Sequence, residues 1–152
     1  MNSSVMMFSA LSIALSLWIT GCTGVRPANL GLKDGRFAPC PSSPNCVSSQ
    51  SPDKEHAVDP VTYTTSTPEA MADLRKVLLQ MKRARIADES DSYLHAEFTS
   101  ALWRFVDDVE FYFDDATKTI QVRSASRLGH SDFGVNRKRV EEIRTLWNAP
   151  RK

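Results

Sequence analysis

VEFYFD (Val109 to Asp114) and TIQVRS (Thr119 to Ser124) each alternate apolar and polar side chains, and Asp115-Ala116-Thr117-Lys118 separates them. Side chains of a strand point to opposite faces in turn, so each run offers one greasy edge and one polar edge. A four-residue hairpin loop sets Asp114 opposite Thr119. Phe113 then meets Ile120 and Phe111 meets Val122 on one face, while Tyr112 meets Gln121 and Glu110 meets Arg123 on the other. A slip of one residue would set phenylalanine against arginine, which specifies the register strongly. Glu110 and Arg123 read as a structural cross-strand pair, a contact worth ~0.2–1 kcal/mol.

Upstream of this hairpin, ARIADES (Ala84 to Ser90) and YLHAEFTS (Tyr93 to Ser100) alternate in the same way around a Ser90-Asp91-Ser92 turn. Leu94, Ala96 and Phe98 face inward, leaving Tyr93, His95, Glu97 and Thr99 on the polar side. Two helices frame the strands. Thr67 serves as N-cap with Pro68 in the first turn, and Met71, Leu74, Val77, Leu78 and Met81 recur at helical spacing. Asp132 is expected to cap a last helix in which Asn136, Val140, Ile143 and Trp147 share a face. Asn136, Ser124 and Ser126 then turn inward, where they need hydrogen-bond partners. The residues from Ser42 to Thr67, with Pro44, Pro52 and Pro60, read as extended and irregular, wrapping over the domain. The expected fold class is α+β: an antiparallel sheet with one face packed by an N-terminal and a C-terminal helix, plus an extended N-terminal segment.

Charge is distributed unevenly. The chain of 152 residues has a formal net charge of +1, which excludes a whole-protein field steering it to nucleic acid. Yet from Arg123 to Arg144 five arginines and a lysine face one aspartate and two glutamates. The polar sheet face adds Tyr93, His95, Glu97, Glu110, Tyr112, Arg123 and Arg127, rimmed by Asp107, Asp108 and Asp115. The candidate ligand-binding residues are therefore His95, Glu97, Arg123, Arg127, Asp132, Asn136, Arg137 and Arg139. No activated nucleophile accompanies them. A hydrolase using His95 and Glu97 as acid and base, with Arg123 holding an oxyanion or phosphate, is the alternative to a non-catalytic binding or structural domain. Metal binding by His95, Glu97 and an aspartate lacks a characteristic spacing, and no cofactor or metal is expected.

The N-terminus reads as an address. Val5 to Ile19 carries no charge and is shorter than the ~20 residues of a membrane-spanning helix. Ile19-Thr20-Gly21-Cys22 is similar to the lipobox of bacterial lipoproteins, in which the cysteine is acylated with diacylglycerol and a fatty acid such as palmitate after cleavage before it. No Lys or Arg precedes Cys22, so the usual basic start is missing. The expected organisation is a lipoprotein signal peptide at 1–21, a tether at 22–37 and a single globular domain at 38–149. Export to an oxidising compartment favours pairing of the two remaining cysteines, Cys40 and Cys46, over a redox or zinc centre.

Three stretches taken together, PCPSSPNCVSSQ (Pro39 to Gln50), YLHAEFTS with FVDDVEFYFD, and RSASRLGHSDFGVNRKR, resemble a bacterial family known only as domain of unknown function 1499. Members of that family are often exported or lipoprotein-like, and the resemblance implies no activity, cofactor or substrate. His95 and Glu97 match its pattern; His130 stands where the pattern has tyrosine. The expectation for function is a lipid-anchored protein of the cell envelope, on the periplasmic side of the outer membrane, whose partners are the membrane and an envelope component.

Overall fold

A computed structural model describes residues 24–150, so Cys22 and the apolar segment before it lie outside the described residues. In chain order the elements are β1 (Cys46–Ser48), β2 (Val61–Thr62), α1 (Thr67–Gln80), β3 (Ala84–Glu89), β4 (Tyr93–Thr99), β5 (Val106–Asp114), β6 (Thr119–Ser126) and α2 (Val135–Asn148). The strands form one six-stranded sheet of order β1-β6-β5-β4-β3, with β2 also on β6, and every strand pair is antiparallel.

The hairpin register is the one its alternation requires. Phe113 faces Ile120, Phe111 faces Val122, Tyr112 faces Gln121 and Glu110 faces Arg123. Phe111 and Phe113 are buried in one hydrophobic cluster with Leu94, Ala96, Phe98, Ile120 and Val122. The same cluster contains Leu74 and Leu78 of α1 and Val140, Ile143 and Trp147 of α2. Fully burying a phenylalanine or leucine side chain contributes ~1.5–3 kcal/mol, so this cluster is the main stabilising element.

The irregular stretch before α1 supplies two strands. Cys46–Ser48 pairs with Arg123 to Ala125, and Val61–Thr62 pairs with Thr119 and Ile120, end to end along the same edge of β6. Between them Ser49 keeps the ladder going, its N–H donating to the Val122 carbonyl at 2.8 Å and its hydroxyl accepting from the Val122 N–H at 2.8 Å. Pieces of two or three residues are too short to show alternation; the open edge of β6 makes them strands.

Both helix starts differ from expectation in who caps them. Ser66, one residue before the expected Thr67, caps α1 in a reciprocal box with Glu69. At α2 the cap position is Gly134, in left-handed backbone at φ 77°. Asp132 still satisfies the helix from two residues upstream, accepting from the Gly134 N–H at 2.9 Å and the Asn136 N–H at 2.7 Å.

Cys40 and Cys46 form a disulfide with Cα atoms 5.6 Å apart. Residues 24–37, the described part of the expected tether, lie against the polar side of the sheet. Gly24 (φ 69°) shows how closely: a Cβ there would come within 3.0 Å of the Arg127 Cβ and 3.1 Å of the Leu128 Cγ. Only glycine fits.

Candidate functional site

The strand registers build the polar face in rows. Asp88, His95, Glu110, Arg123 and Ser48 stand side by side across β3, β4, β5, β6 and β1. The next row carries Arg85, Glu97 and Asp108. Two carboxylates directly opposite each other on neighbouring strands repel. Arg127 resolves this by entering from just beyond β6. Its Nη2 donates to Glu97 Oε1 at 2.6 Å and to Asp108 Oδ1 at 2.7 Å, and its Nε donates to Asp108 Oδ2 at 2.8 Å. Arg85 Nη2 donates to the other Glu97 oxygen at 2.6 Å.

His95 has no exposed surface. Its Nε2 donates to Asp108 Oδ1 at 2.8 Å, which directs Nδ1 toward Arg26 Nη2, 3.4 Å away. Arg26 also bonds Asp88. The segment that carries Arg26 then delivers Gly31, whose backbone N–H donates to Glu110 Oε1 at 2.7 Å. Tyr93 Oη donates to the same oxygen at 2.9 Å, and Arg123 Nη1 donates to Oε2 at 3.0 Å. Glu110 thus accepts three hydrogen bonds at zero exposure. The Arg123 Nε is buried without a partner.

These contacts set the electrostatics. Burial alone would raise the Asp108 carboxyl, but hydrogen bonds from Arg127 and His95 outweigh it and hold its pKa below the ordinary value. Glu97 is likewise lowered, its burial overcome by Arg127 and Arg85. Asp108 raises the pKa of Arg127, with Glu97 adding to it against the effect of burial. Burial raises the Tyr93 phenol, and the Glu110 charge adds to it. Of the three aspartates expected to rim the polar face, Asp115 is exposed and the other two are not. Asp107 and Asp108 are buried, and Asp107 Oδ2 accepts from Arg139 Nη2 at 2.5 Å.

His95, Glu97 and Asp108 each offer one ligand atom within 4.8 Å of the others, the arrangement a metal ion would need. Arg127 bonds both carboxylates of that trio, so a dication would have to displace a guanidinium already held by three hydrogen bonds.

The remaining candidates gather at the start of α2. Asn136 is fully buried, as its place on the helix face requires. Its Oδ1 accepts from Ser124 Oγ at 2.5 Å and Arg139 Nη1 at 2.8 Å, and its Nδ2 lies within 3.0 Å of Asn45 O, 2.9 Å of Ser126 Oγ and 2.8 Å of Asp132 Oδ2. Arg139 also lies over the Phe98 ring, 4.8 Å from its centroid. Arg137 donates to the Ala57 and Glu55 carbonyls at 2.7 and 2.6 Å, and Arg144 to the Pro60 and Asp59 carbonyls at 2.9 and 2.6 Å. Helix α2 therefore fastens the strand-poor loop through its arginines. The basic run does grip anions and oxygens, and those described are its own chain's.

Sequence reasoning missed Arg26, Gly31, Asp88 and the pairing of His56. His56 Nδ1 meets Asp53 Oδ1 at 2.8 Å and Nε2 meets the Ser43 carbonyl at 3.2 Å. Both partners accept, so the geometry favours a ring that donates from both nitrogens, the imidazolium form. Burial opposes this charge, but the bonds to Asp53 and Ser43 prevail and raise the pKa. Asp53 is lowered to about 2, chiefly by the His56 backbone N–H. A histidine three residues after an aspartate was the available signal.

A family model described as protein of unknown function, DUF1499, matches residues 36–146. No curated protein matches the chain.

Proposed function

The chain belongs to the DUF1499 family, and on that premise we propose that it is a lipid-anchored envelope protein whose polar sheet face holds the domain together rather than performing chemistry. One observation carries the second part. The ionisable groups at the centre of that face, His95, Glu97, Asp108, Glu110, Arg123 and Arg127, bond one another, and residues 24–37 lie over them. A general base must reach a substrate proton, whereas His95 has no exposed surface and gives Nε2 to Asp108. In this reading α1 and α2 both cover the apolar face, supported by their shared membership of the core cluster.

The anchoring part rests on Ile19-Thr20-Gly21-Cys22 and on the Cys40–Cys46 disulfide, which suits an oxidising compartment. Two or more acyl chains on Cys22 give lasting attachment, at ~0.8 kcal/mol per buried CH₂. Among the described residues no helix is long and apolar enough to cross a membrane. The periplasmic side of the outer membrane is the proposed location, since Thr23 rather than aspartate follows the lipid cysteine.

Mass spectrometry of the N-terminal peptide from membrane-extracted protein tests this reading. Cleavage before Cys22 with a diacylglycerol and an acyl group on it is the expected result; an intact Met1 peptide, or an unmodified Cys22, overturns it.

A further inference from the structure

Among the described residues eight large apolar side chains are exposed, and seven of them lie at one end of the molecule. Leu102, Trp103 and Phe105 ride on the connection between β4 and β5, Leu128 and Phe133 on the connection between β6 and α2, and Val135 opens α2. The sheet sets these two loops beside each other. Asp107 pairs with Ser126, and the Arg127 N–H donates to the Val106 carbonyl at 3.1 Å. Val25, 90% exposed, joins them because its neighbour Gly24 packs on Leu128. Phe133 and Trp103 are 89% and 67% exposed, values unusual for aromatic side chains in water. A gathered apolar patch of this kind marks a contact surface.

Charge points to the partner. Lys82, Arg83, Arg104 and Lys138 lie at the same end, and none of them makes an ion pair with a described residue. Lys82, Arg83 and Lys138 line a groove of about 760 Å³ that also takes in Ala101 and Val135, at the foot of the two apolar loops. Glu142 is the exposed carboxylate in that groove. Aromatic and aliphatic tips beside an excess of cations match a bilayer surface, where apolar groups enter the acyl boundary and lysine or arginine meets phosphate.

The course of the chain makes the same assignment. Gly24 lies against Arg127 and Leu128, and two residues of extended backbone reach ~7 Å. A lipid on Cys22 therefore leaves the domain at this end. We infer that the end formed by residues 101–105 and 128–135 is a membrane-docking surface, which inserts its apolar side chains into a bilayer and places Lys82, Arg83, Arg104 and Lys138 against anionic phospholipid headgroups. The geometry rests on the anchoring reading above. Docking fixes the orientation of the tethered domain: the sheet strands stand away from the membrane with the β5–β6 turn outermost.

The test uses the full chain, extracted from membranes and reconstituted into vesicles of phosphatidylcholine alone or with phosphatidylglycerol, each doped with brominated phospholipid. Tryptophan quenching is read for the wild type and for Trp103→Phe; the difference isolates Trp103 from buried Trp147 and, where the leader is uncleaved, from Trp18. Docking predicts that the quenched component is several-fold larger with phosphatidylglycerol, disappears in Trp103→Phe, and falls to the phosphatidylcholine level in Arg104→Gln/Lys138→Gln. A Trp103 signal that bromolipid leaves unquenched in both vesicles overturns the inference. The mass of the N-terminal peptide from the same sample separates the two readings. A lipidated Cys22 with unquenched Trp103 removes only the docking surface. An unmodified Cys22 with Trp103 quenched by phosphatidylglycerol vesicles removes the anchor and keeps the surface, and failure of both removes both.

Discussion

Glu97 and Asp108 stand directly opposite each other on β4 and β5, and Arg127 holds both carboxylates through one guanidinium. The arginine side chain is 6% exposed and that of Asp108 is 2% exposed, so water does little to screen either.

Arg127→Ala is therefore expected to be among the most damaging single changes in the domain, because it leaves two facing carboxylates without their cation. Removing one partner of a buried pair costs ~3–5 kcal/mol. Arg127→Lys keeps the charge and loses the fork, and is expected to fall between the two. Urea unfolding of the three proteins measures this; an Arg127→Ala midpoint equal to the wild type's would show that the clasp is not stabilising. The pH dependence has a definite sign. Glu97 and Asp108 have lowered folded pKa values, so their contribution is complete above the unfolded carboxyl range near ~4 and is lost as pH falls through the folded values.

Glu110 and Arg123 allow a sharper experiment. The Arg123 Nε has no partner even in the wild type, so the buried pair is imperfectly satisfied. Glu110→Leu alone strands a buried guanidinium and is expected to cost ~3–5 kcal/mol. The double change Glu110→Leu with Arg123→Met should recover the part of that loss due to the stranded guanidinium, while the Gly31 N–H and the Tyr93 hydroxyl stay without their acceptor. A double-mutant cycle with no coupling between the two positions would contradict the geometry.

His56 gives the opposite pH response. Its folded pKa is raised, so its contribution is fully present below an unfolded value near ~6.5 and is lost as pH rises through the folded one. Titration of the His56 ring by NMR should show a pKa above the ordinary histidine value of ~6.5, and Asp53→Asn should move it down. A His56 that titrates below ~6.5 would reverse the assignment.

Reduction of Cys40–Cys46 is expected to lower stability by about 2 kcal/mol, from the entropy of closing so short a loop, without unfolding the sheet. Cys46 also pairs with Ala125 through the backbone, a pairing the thiol form is expected to keep. Circular dichroism with and without reductant distinguishes this from global unfolding.

The hairpin was legible because two patterns, apolar and charged, had to agree at a single turn length. Glu110 opposite Arg123 followed from Phe111 opposite Val122 with no further information. What alternation cannot show is what covers a face. His95, Glu97 and Glu110 occupy outward positions on their strands, and the same pattern serves a wet surface or one closed by another part of the chain. The closing piece, residues 24–37, has no periodicity, and its contact with Glu110 uses a glycine N–H, which leaves no trace in side-chain chemistry. The opposition of Glu97 to Asp108 was hidden for a different reason. It depends on how the irregular residues 100–105 join β4 to β5, and no short-turn rule governs them. Asp132 was found as a capping residue at the correct helix and misplaced by two positions, because Gly134 inserts a left-handed step between the carboxylate and the first turn.

Strand β3 forms the outer margin of the sheet, and its register against β4 breaks between Ile86 and Asp88. Along that margin Asp88 is bound by Arg26 and Glu89 by Arg75. An interrupted, ion-studded border is a poor template for a neighbouring copy's backbone. Neighbouring copies can therefore stay separate, each with its hydrogen-bonding rim blunted against stacking into a fibre.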